Sequence, residues 1–211
     1  MNAYNESYLN DAMVNFGGMV EYAVCDLKMD PDEFMNYFIS SGIATQFESG
    51  NPKYVVGKSG PEIAYDIMVR MNNVDVIIEP TFRKSRGREY WAGWILAYYQ
   101  WFTGKRFCDI IDDGLSLSTI FSMYILHEAD VSKFVESANA IIERNLSERP
   151  SKLSVYRKRR GFTQAKLSEV SDVSLRMIQL YEQKQNDISK ASADVVLRLS
   201  KALCCDVEDL M

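Results

Sequence analysis

Residues 160–186 have the sequence RGFTQAKLSEVSDVSLRMIQLYEQKQN, and this stretch decides the fold of the C-terminal part of the chain. Thr163 and Ser174 are residue types that cap helix N-termini, and each precedes a run with helical spacing of apolar residues. They predict one helix over 164–171 and a second helix from Ser174 to about residue 183. Ser171-Asp172-Val173 predicts a tight turn, and two short helices joined in this way form a helix-turn-helix unit.

Helices on both sides extend this unit to a predicted four- or five-helix domain over 152–211. A basic helix is predicted over 153–160, where Gly161 ends it, and another helix over 191–203. The apolar residues expected to face inward are Leu167, Val170, Ile178, Tyr181, Val195, Val196, Leu199 and Leu203.

A family resemblance rests on residues spread through this domain. They are Leu153, Tyr156, Arg157, the run Arg160-Gly161-Phe162-Thr163-Gln164, Leu167, Val173, Ser174, Ile178, Tyr181, Glu182, Leu199, Ala202 and Leu203. With this pattern residues 153–210 resemble the Cro/C1-type (Xre) helix-turn-helix. Asp172 and Val170 depart from it, because Gly and Ala are usual there, although Asp tolerates a left-handed backbone better than most residues. The resemblance implies a transcriptional regulator that binds double-stranded operator DNA.

The resemblance also implies DNA-contact roles by position. Gln164 is expected at a backbone phosphate, and Arg176 and Leu175 at a guanine edge and a thymine methyl. The full set of expected contacts is Gln164, Ser174, Leu175, Arg176 and Gln179, followed by Lys184, Gln185 and Asn186 at a second run of phosphates. The alternative is that these residues are the solvated surface of a helical bundle. One such domain makes few contacts, so we expect a homodimer that reads two half-sites about one helical turn apart.

Helical periodicity also dominates the front of the chain, so the predicted fold class is all-α. Its domains are a helical module over 1–72 and an aromatic-rich helical domain over 73–148, which pack separately or as one unit. Helices are predicted over 4–27, from Pro31 to about 41, from Gly60 to about 72, and over 90–102, 106–111, 116–124 and 130–144. Residues 54–56 are predicted as a short extended piece, residues 74–78 as a strand or a connector, and residues 147–151 as a linker.

Composition excludes several classes of protein. The 211 residues are 47% apolar and 25% charged, which is typical of a soluble globular chain. The longest nearly apolar run, 90–102, is shorter than the roughly 20 residues of a membrane span. Residues 1–11 lack the pattern of a secretory signal, and none of the four cysteines forms a C-x-x-C pair. We therefore expect a cytoplasmic protein with reduced thiols, no metal, no cofactor and no membrane partner.

Charge differs between the two parts of the chain. Residues 1–150 hold 13 Lys and Arg against 21 Asp and Glu, a net charge of −8, and residues 151–211 hold 11 against 8, a net charge of +3. No catalytic residues are recognised in the front part. The single histidine, His127, lacks the second histidine of a zinc-protease motif, and it is expected to be structural. The basic stretch 83–88 is expected to be a solvated loop, with contact to a phosphate backbone as the alternative.

The front part has a second resemblance, which covers about 5–72. It rests on Glu21-Tyr22-Ala23, Phe38-Ile39, Ser41-Gly42-Ile43-Ala44, Gln46-Phe47-Glu48, Gly50-Asn51-Pro52-Lys53-Tyr54, Gly57 and Ser59-Gly60. These residues resemble small helical domains of bacterial toxin–antitoxin loci, found beside toxins that resemble ADP-ribosyltransferases. The resemblance implies an antitoxin-type autorepressor whose front half binds a toxin. The alternatives are a front half that senses a small molecule, one that only dimerises, and an enzyme with an attached DNA-binding domain.

Overall fold

The computed structural model describes residues 2–72 and 78–211, and all regular secondary structure in those ranges is helical. The prediction of an all-α chain is confirmed for these residues. Most of the segment predicted as a strand or a connector, 74–77, lies outside them. The chain divides into two compact units, Met1–Glu143 and Arg144–Met211, which are described separately below.

The α-helices are numbered in chain order. They are α1 Leu9–Cys25, α2 Pro31–Ser40, α3 Ile43–Glu48, α4 Pro52–Val55, α5 Gly60–Arg70, α6 Arg88–Thr103, α7 Phe107–Asp112, α8 Leu117–Ser122, α9 Val131–Glu148, α10 Lys152–Arg159, α11 Gln164–Ser171, α12 Leu175–Glu182 and α13 Ala193–Leu203. Short 3₁₀ turns occupy Glu6–Tyr8, Tyr124–Glu128, Ile188–Lys190 and Glu208–Leu210.

Side-chain caps explain where several helices of the first unit begin. The Asp30 carboxylate accepts hydrogen bonds from the backbone N–H groups of Asp32 and Glu33, both at 3.0 Å, just before Pro31 at the first helical position. Ser59 and Glu62 form a capping box at the start of α5. Such caps satisfy N–H groups that have no partner within the helix.

Two short helices were not predicted, and the extended piece over 54–56 was a wrong prediction. Pro52–Val55 is a helical turn, because the Asn51 side chain caps it by accepting from the N–H of Lys53 at 3.0 Å. This cap and the fixed φ of Pro52 outweigh the β-propensity of the two valines. Helix α9 also continues to Glu148, into the segment predicted as a linker.

The first unit has one hydrophobic core, to which residues of both 1–72 and 73–148 contribute. Its centre is a cluster of four phenylalanines from α1, α2, α3 and α7, namely Phe16, Phe38, Phe47 and Phe107. Each of the four is fully buried, and their ring centroids lie 5.0–6.3 Å apart. Stacked and edge-to-face pairs of this kind add stability beyond their buried area. We call this group the phenylalanine cluster.

Glycines allow α1 to approach α5 and α6 at backbone distance. A Cβ atom on Gly60 would lie 2.2 Å from the backbone nitrogen of Met19, and one on Gly93 would lie 2.7 Å from the carbonyl oxygen of Phe16. No side chain fits at these two positions unless the helices separate. The close packing that Gly17-Gly18 permits in α1 is thus matched by glycines on both neighbours.

The second unit has its own small core. Its buried residues are Leu153, Leu167, Val173, Ile178, Tyr181, Val196, Leu199, Leu203 and Leu210. The prediction that Val170 faces inward was wrong, because this side chain is 48% exposed. Leu167 and Ser171, which are four residues apart, form the buried face of α11, and Val170 lies beside that face.

Candidate nucleic-acid interface

The turn between α11 and α12 is held by side chains from both neighbouring helices. Asp172 adopts the left-handed conformation with φ 52°, as its residue type permits. Arg198 of α13 donates to the Asp172 carbonyl oxygen at 2.6 Å and to its carboxylate at 3.2 Å. The Ser168 hydroxyl donates to the carbonyl oxygen of Val173 at 2.7 Å. The angle between the two helices is therefore fixed by side-chain bonds as well as by the core.

Helices α11 and α12 both begin with a side-chain cap. The Thr163 hydroxyl accepts from the backbone N–H of Lys166 at 3.0 Å, and the Ser174 hydroxyl accepts from that of Met177 at 3.3 Å. Ser174, predicted as a DNA contact, is exposed, and its hydroxyl thus already has a structural role.

A buried ion pair ties α10, α11 and α12 together. Arg157 donates from Nε and Nη2 to the two carboxylate oxygens of Glu182, at 2.5 and 3.0 Å. The Gln164 amide donates to the same carboxylate at 2.7 Å, and Arg157 also donates to the Phe162 carbonyl at 2.6 Å. Burial raises the pKa of Glu182, but the hydrogen bonds from Arg157 and Gln164 outweigh it and hold that pKa below its ordinary value. We call these three residues the Arg157–Glu182–Gln164 network.

The network changes what Gln164 offers to a phosphate. An amide nitrogen has two N–H groups, and one of them is taken by Glu182. The remaining N–H of this partly exposed side chain is the donor left for the predicted phosphate contact.

Helix α12 presents a polar face opposite its buried one. Ile178 and Tyr181 are buried in the core, whereas Leu175 is 40% exposed and Arg176 is also exposed. Gln179, one turn further along, is partly exposed. Arg176 has no ion-pair partner among residues 2–72 and 78–211, so its guanidinium is available to a ligand. The structure thus brings the predicted base-reading residues together on one face.

The residues predicted at the second run of phosphates follow α12 directly. Lys184, Gln185 and Asn186 are exposed. Lys184 has a left-handed backbone with φ 56°, and its ammonium group donates to the carbonyl oxygen of Leu146 at the end of α9. An ammonium group has three N–H donors, so two remain for a phosphate oxygen.

The pairings of two arginines that fix this surface were not predicted from the sequence. Arg157 pairs with a residue 25 positions away, and Arg198 with one 26 positions away. Spacing within one helix gives no signal for such pairs. The signal that was present is the arginine in the last turn of α10, because arginine is the basic residue most suited to buried, bidentate ion pairs.

His127 lies against an aromatic ring at the edge of a cavity in the first unit. Its ring stacks on Tyr124 with centroids 4.2 Å apart, and Nδ1 lies 2.8 Å from the carbonyl oxygen of Tyr124. His127 borders a cavity of about 340 Å³, but the residues that line this cavity include no carboxylate. Within the part of the chain that the structure describes, no group of three or more His, Cys, Asp or Glu residues could hold a metal ion.

The basic stretch 83–88 is a largely exposed loop, as predicted, but two of its arginines pair with carboxylates of the first unit. Arg83 pairs with Asp26 at 2.7 Å, and Arg86 pairs with Glu21 at 2.8 Å; both carboxylates are on or next to α1 and are almost fully buried. These arginines neutralise buried acids, which explains their spacing better than contact with a nucleic acid.

No family model, no curated protein and no solved structure matches this chain. Across residues 2–72 and 78–211 there is no helix of the length and apolar character needed to cross a membrane.

Proposed function

We propose that the protein is a sequence-specific transcription regulator whose second unit binds double-stranded operator DNA. The observation that carries the proposal is the exposed face of α12. Arg198 and the caps of α11 and α12 fix the turn that precedes this helix. A short helix supported in this way suits the major groove, where base edges present distinct donors and acceptors.

Charge supports the same proposal. Residues 151–211 carry a net charge of +3 in a chain whose total is −5. Lys158, Arg159 and Arg160 at the end of α10 are exposed, as is Lys166 on α11. Cations on this unit favour binding to a phosphate backbone, and the first unit does not share that preference.

Arg176 is the residue proposed to read a base. Its planar guanidinium is suited to a bidentate contact with O6 and N7 of guanine. We expect Arg176→Ala to weaken binding to the true site by about 1–3 kcal/mol and to relax the choice of base at one position.

The experiment selects sites for the full chain from a random duplex library and then measures affinities of the parent and of Arg176→Ala. Lys201→Ala is the matched control, because Lys201 is an exposed cation on α13 outside the predicted contacts. Selection of no consensus site would overturn the proposal. An unchanged base preference in Arg176→Ala would show that α12 is not the reading element.

We propose further that the protein is a homodimer and an autorepressor of the antitoxin kind, in which the first unit binds a toxin. The net charge of −8 on residues 1–150 supports a basic partner surface. The test is to co-express the full chain with the product of the neighbouring gene and to measure the stoichiometry of the purified species. A complex with restrained toxin activity supports the proposal, and a homodimer alone would favour a front half that only dimerises or senses a small molecule.

A further inference from the structure

The cavity beside His127 is lined largely by aromatic side chains. Its volume of about 340 Å³ lies in the range of roughly 300–1,000 Å³ found for small-molecule sites. The lining residues that matter for the ligand are Arg86, Tyr90, Trp91, Trp94, Tyr124 and Phe134. We propose that this cavity binds a small planar aromatic acid.

The walls favour a flat ring. Trp91 packs edge-on against Tyr124 and Phe134, with ring centroids 5.7 and 5.8 Å apart, so its orientation is set before any ligand enters. Tyr124 is in turn stacked on His127 at 4.2 Å. Ring faces and edges held in this way attract a planar aromatic molecule by stacking and by edge-to-face contact, at little cost in side-chain entropy.

The polar side of the cavity favours an acid. Arg86 is the only Lys, Arg, Asp or Glu among the lining residues, and its guanidinium lies 4.3 Å from the centre of the Tyr90 ring. Its bond to Glu21 uses Nη1 and holds the group in place. The side chain is 57% exposed, and the structure gives its other nitrogens no bond to a described residue. A guanidinium held beside the Tyr90 ring can donate hydrogen bonds to a carboxylate on an aromatic ligand.

This inference is independent of the proposed DNA binding, because every lining residue belongs to the first unit. If the front half senses a small molecule, this cavity is the site at which that molecule binds. Failure of the binding test below leaves the DNA experiment unaffected, and the converse also holds.

The first test compares two probes of the same shape. The full-length protein is titrated calorimetrically with 2-naphthoate and with its neutral counterpart, 2-naphthamide. We expect the acid to bind about tenfold more tightly, as one charge-assisted hydrogen-bonded contact would give. Saturable binding of neither probe, or equal binding of both, would overturn the proposal.

The second test locates the bound probe without changing the cavity. The chain has three tryptophans, and two of them line the cavity, whereas Trp101 is buried elsewhere with its indole N–H bonded to the Tyr4 carbonyl. In protein labelled with 5-fluorotryptophan, 2-naphthoate should shift the ¹⁹F resonances of Trp91 and Trp94 and leave that of Trp101 in place. A shift confined to Trp101 would contradict the site.

Variants then test the acid-binding side. Arg86→Gln should abolish the preference for naphthoate over naphthamide, and Arg86→Lys should keep part of it. Arg88→Gln is the matched control, because Arg88 has a similar exposure of 52% and stacks on Phe121 without lining the cavity. If Arg86→Gln keeps the parent's preference, Arg86 does not bind the acid and the proposal is wrong.

Discussion

Replacing Glu182 by Gln removes the charge at the centre of the Arg157–Glu182–Gln164 network and keeps the shape of the side chain. The two ionic side chains are only 11% and 6% exposed, so Arg157 cannot recover a full hydration shell. Breaking a buried ion pair costs about 3–5 kcal/mol. We expect the lower end of this range, about 3 kcal/mol, because the Phe162 carbonyl still accepts from Arg157 and Gln keeps one acceptor oxygen.

Hydrogen exchange measured by mass spectrometry is the suitable assay. All three tryptophans lie in α6 of the first unit, so their fluorescence does not report on the second unit. A loss of about 3 kcal/mol corresponds to exchange about 100-fold faster in peptides from α11 and α12. Peptides from the first unit should exchange as in the parent.

The matched control is Glu169→Gln on α11. Glu169 pairs with Lys166 at 3.0 Å, but the two side chains are 70% and 49% exposed. Exposed pairs contribute about 0.2–1 kcal/mol, so exchange should rise by only a few-fold. If Glu182→Gln accelerates exchange no more than Glu169→Gln does, the network does not hold the three helices together.

Three further predictions concern packing, pH and salt. Gly60→Ala should lower the free energy of unfolding by at least about 1–3 kcal/mol, because its Cβ would meet a backbone nitrogen of α1 at 2.2 Å. Urea unfolding followed by tryptophan fluorescence measures this change. Gly87→Ala should leave the free energy of unfolding nearly unchanged, because its Cβ would meet only the end of a flexible side chain. The hydrogen bonds from Arg83 lower the pKa of Asp26 in the folded protein. The pair therefore stabilises the fold at pH values above the pKa of an unfolded Asp, about 4, and this stabilisation is lost as the pH falls through the folded pKa. The difference in unfolding free energy between the parent and Arg83→Gln should therefore be largest near neutral pH and shrink below about pH 4, and a constant difference would contradict the assignment. Lys184→Ala should weaken binding to all DNA sequences alike and lower the slope of log affinity against log salt by about 1, and a sequence-dependent loss would argue against a phosphate contact.

The parts of the fold that the sequence predicted well are those that local chemistry determines. Asp30 before Pro31, and Ser174 before its apolar run, mark helix starts through bonds to N–H groups two or three residues away. Helices α3 and α4 were missed because six and four residues are too few to show a helical period. Phe47 of α3 is part of the phenylalanine cluster, and the Asn51 side chain caps α4.

The candidate site divides in the same way. The residues on the exposed face of α12 follow from helix spacing once its start at Ser174 is known. The bonds that hold the face in position join residues distant in sequence, such as Arg157 with Glu182 and Arg198 with Asp172. Pairing of this kind depends on how the helices pack, so a single sequence does not determine it.

The phenylalanine cluster has a consequence for how this chain can evolve. Phe16, Phe38 and Phe47 lie within the first 50 residues, whereas Phe107 lies much later in the chain, and its ring contacts each of the other three. A recombination breakpoint between residues 48 and 106 would separate Phe107 from the three rings that it packs against. We therefore expect rearranged genes to inherit residues 1–143 as a whole, and exchange of the second unit to occur near residue 150.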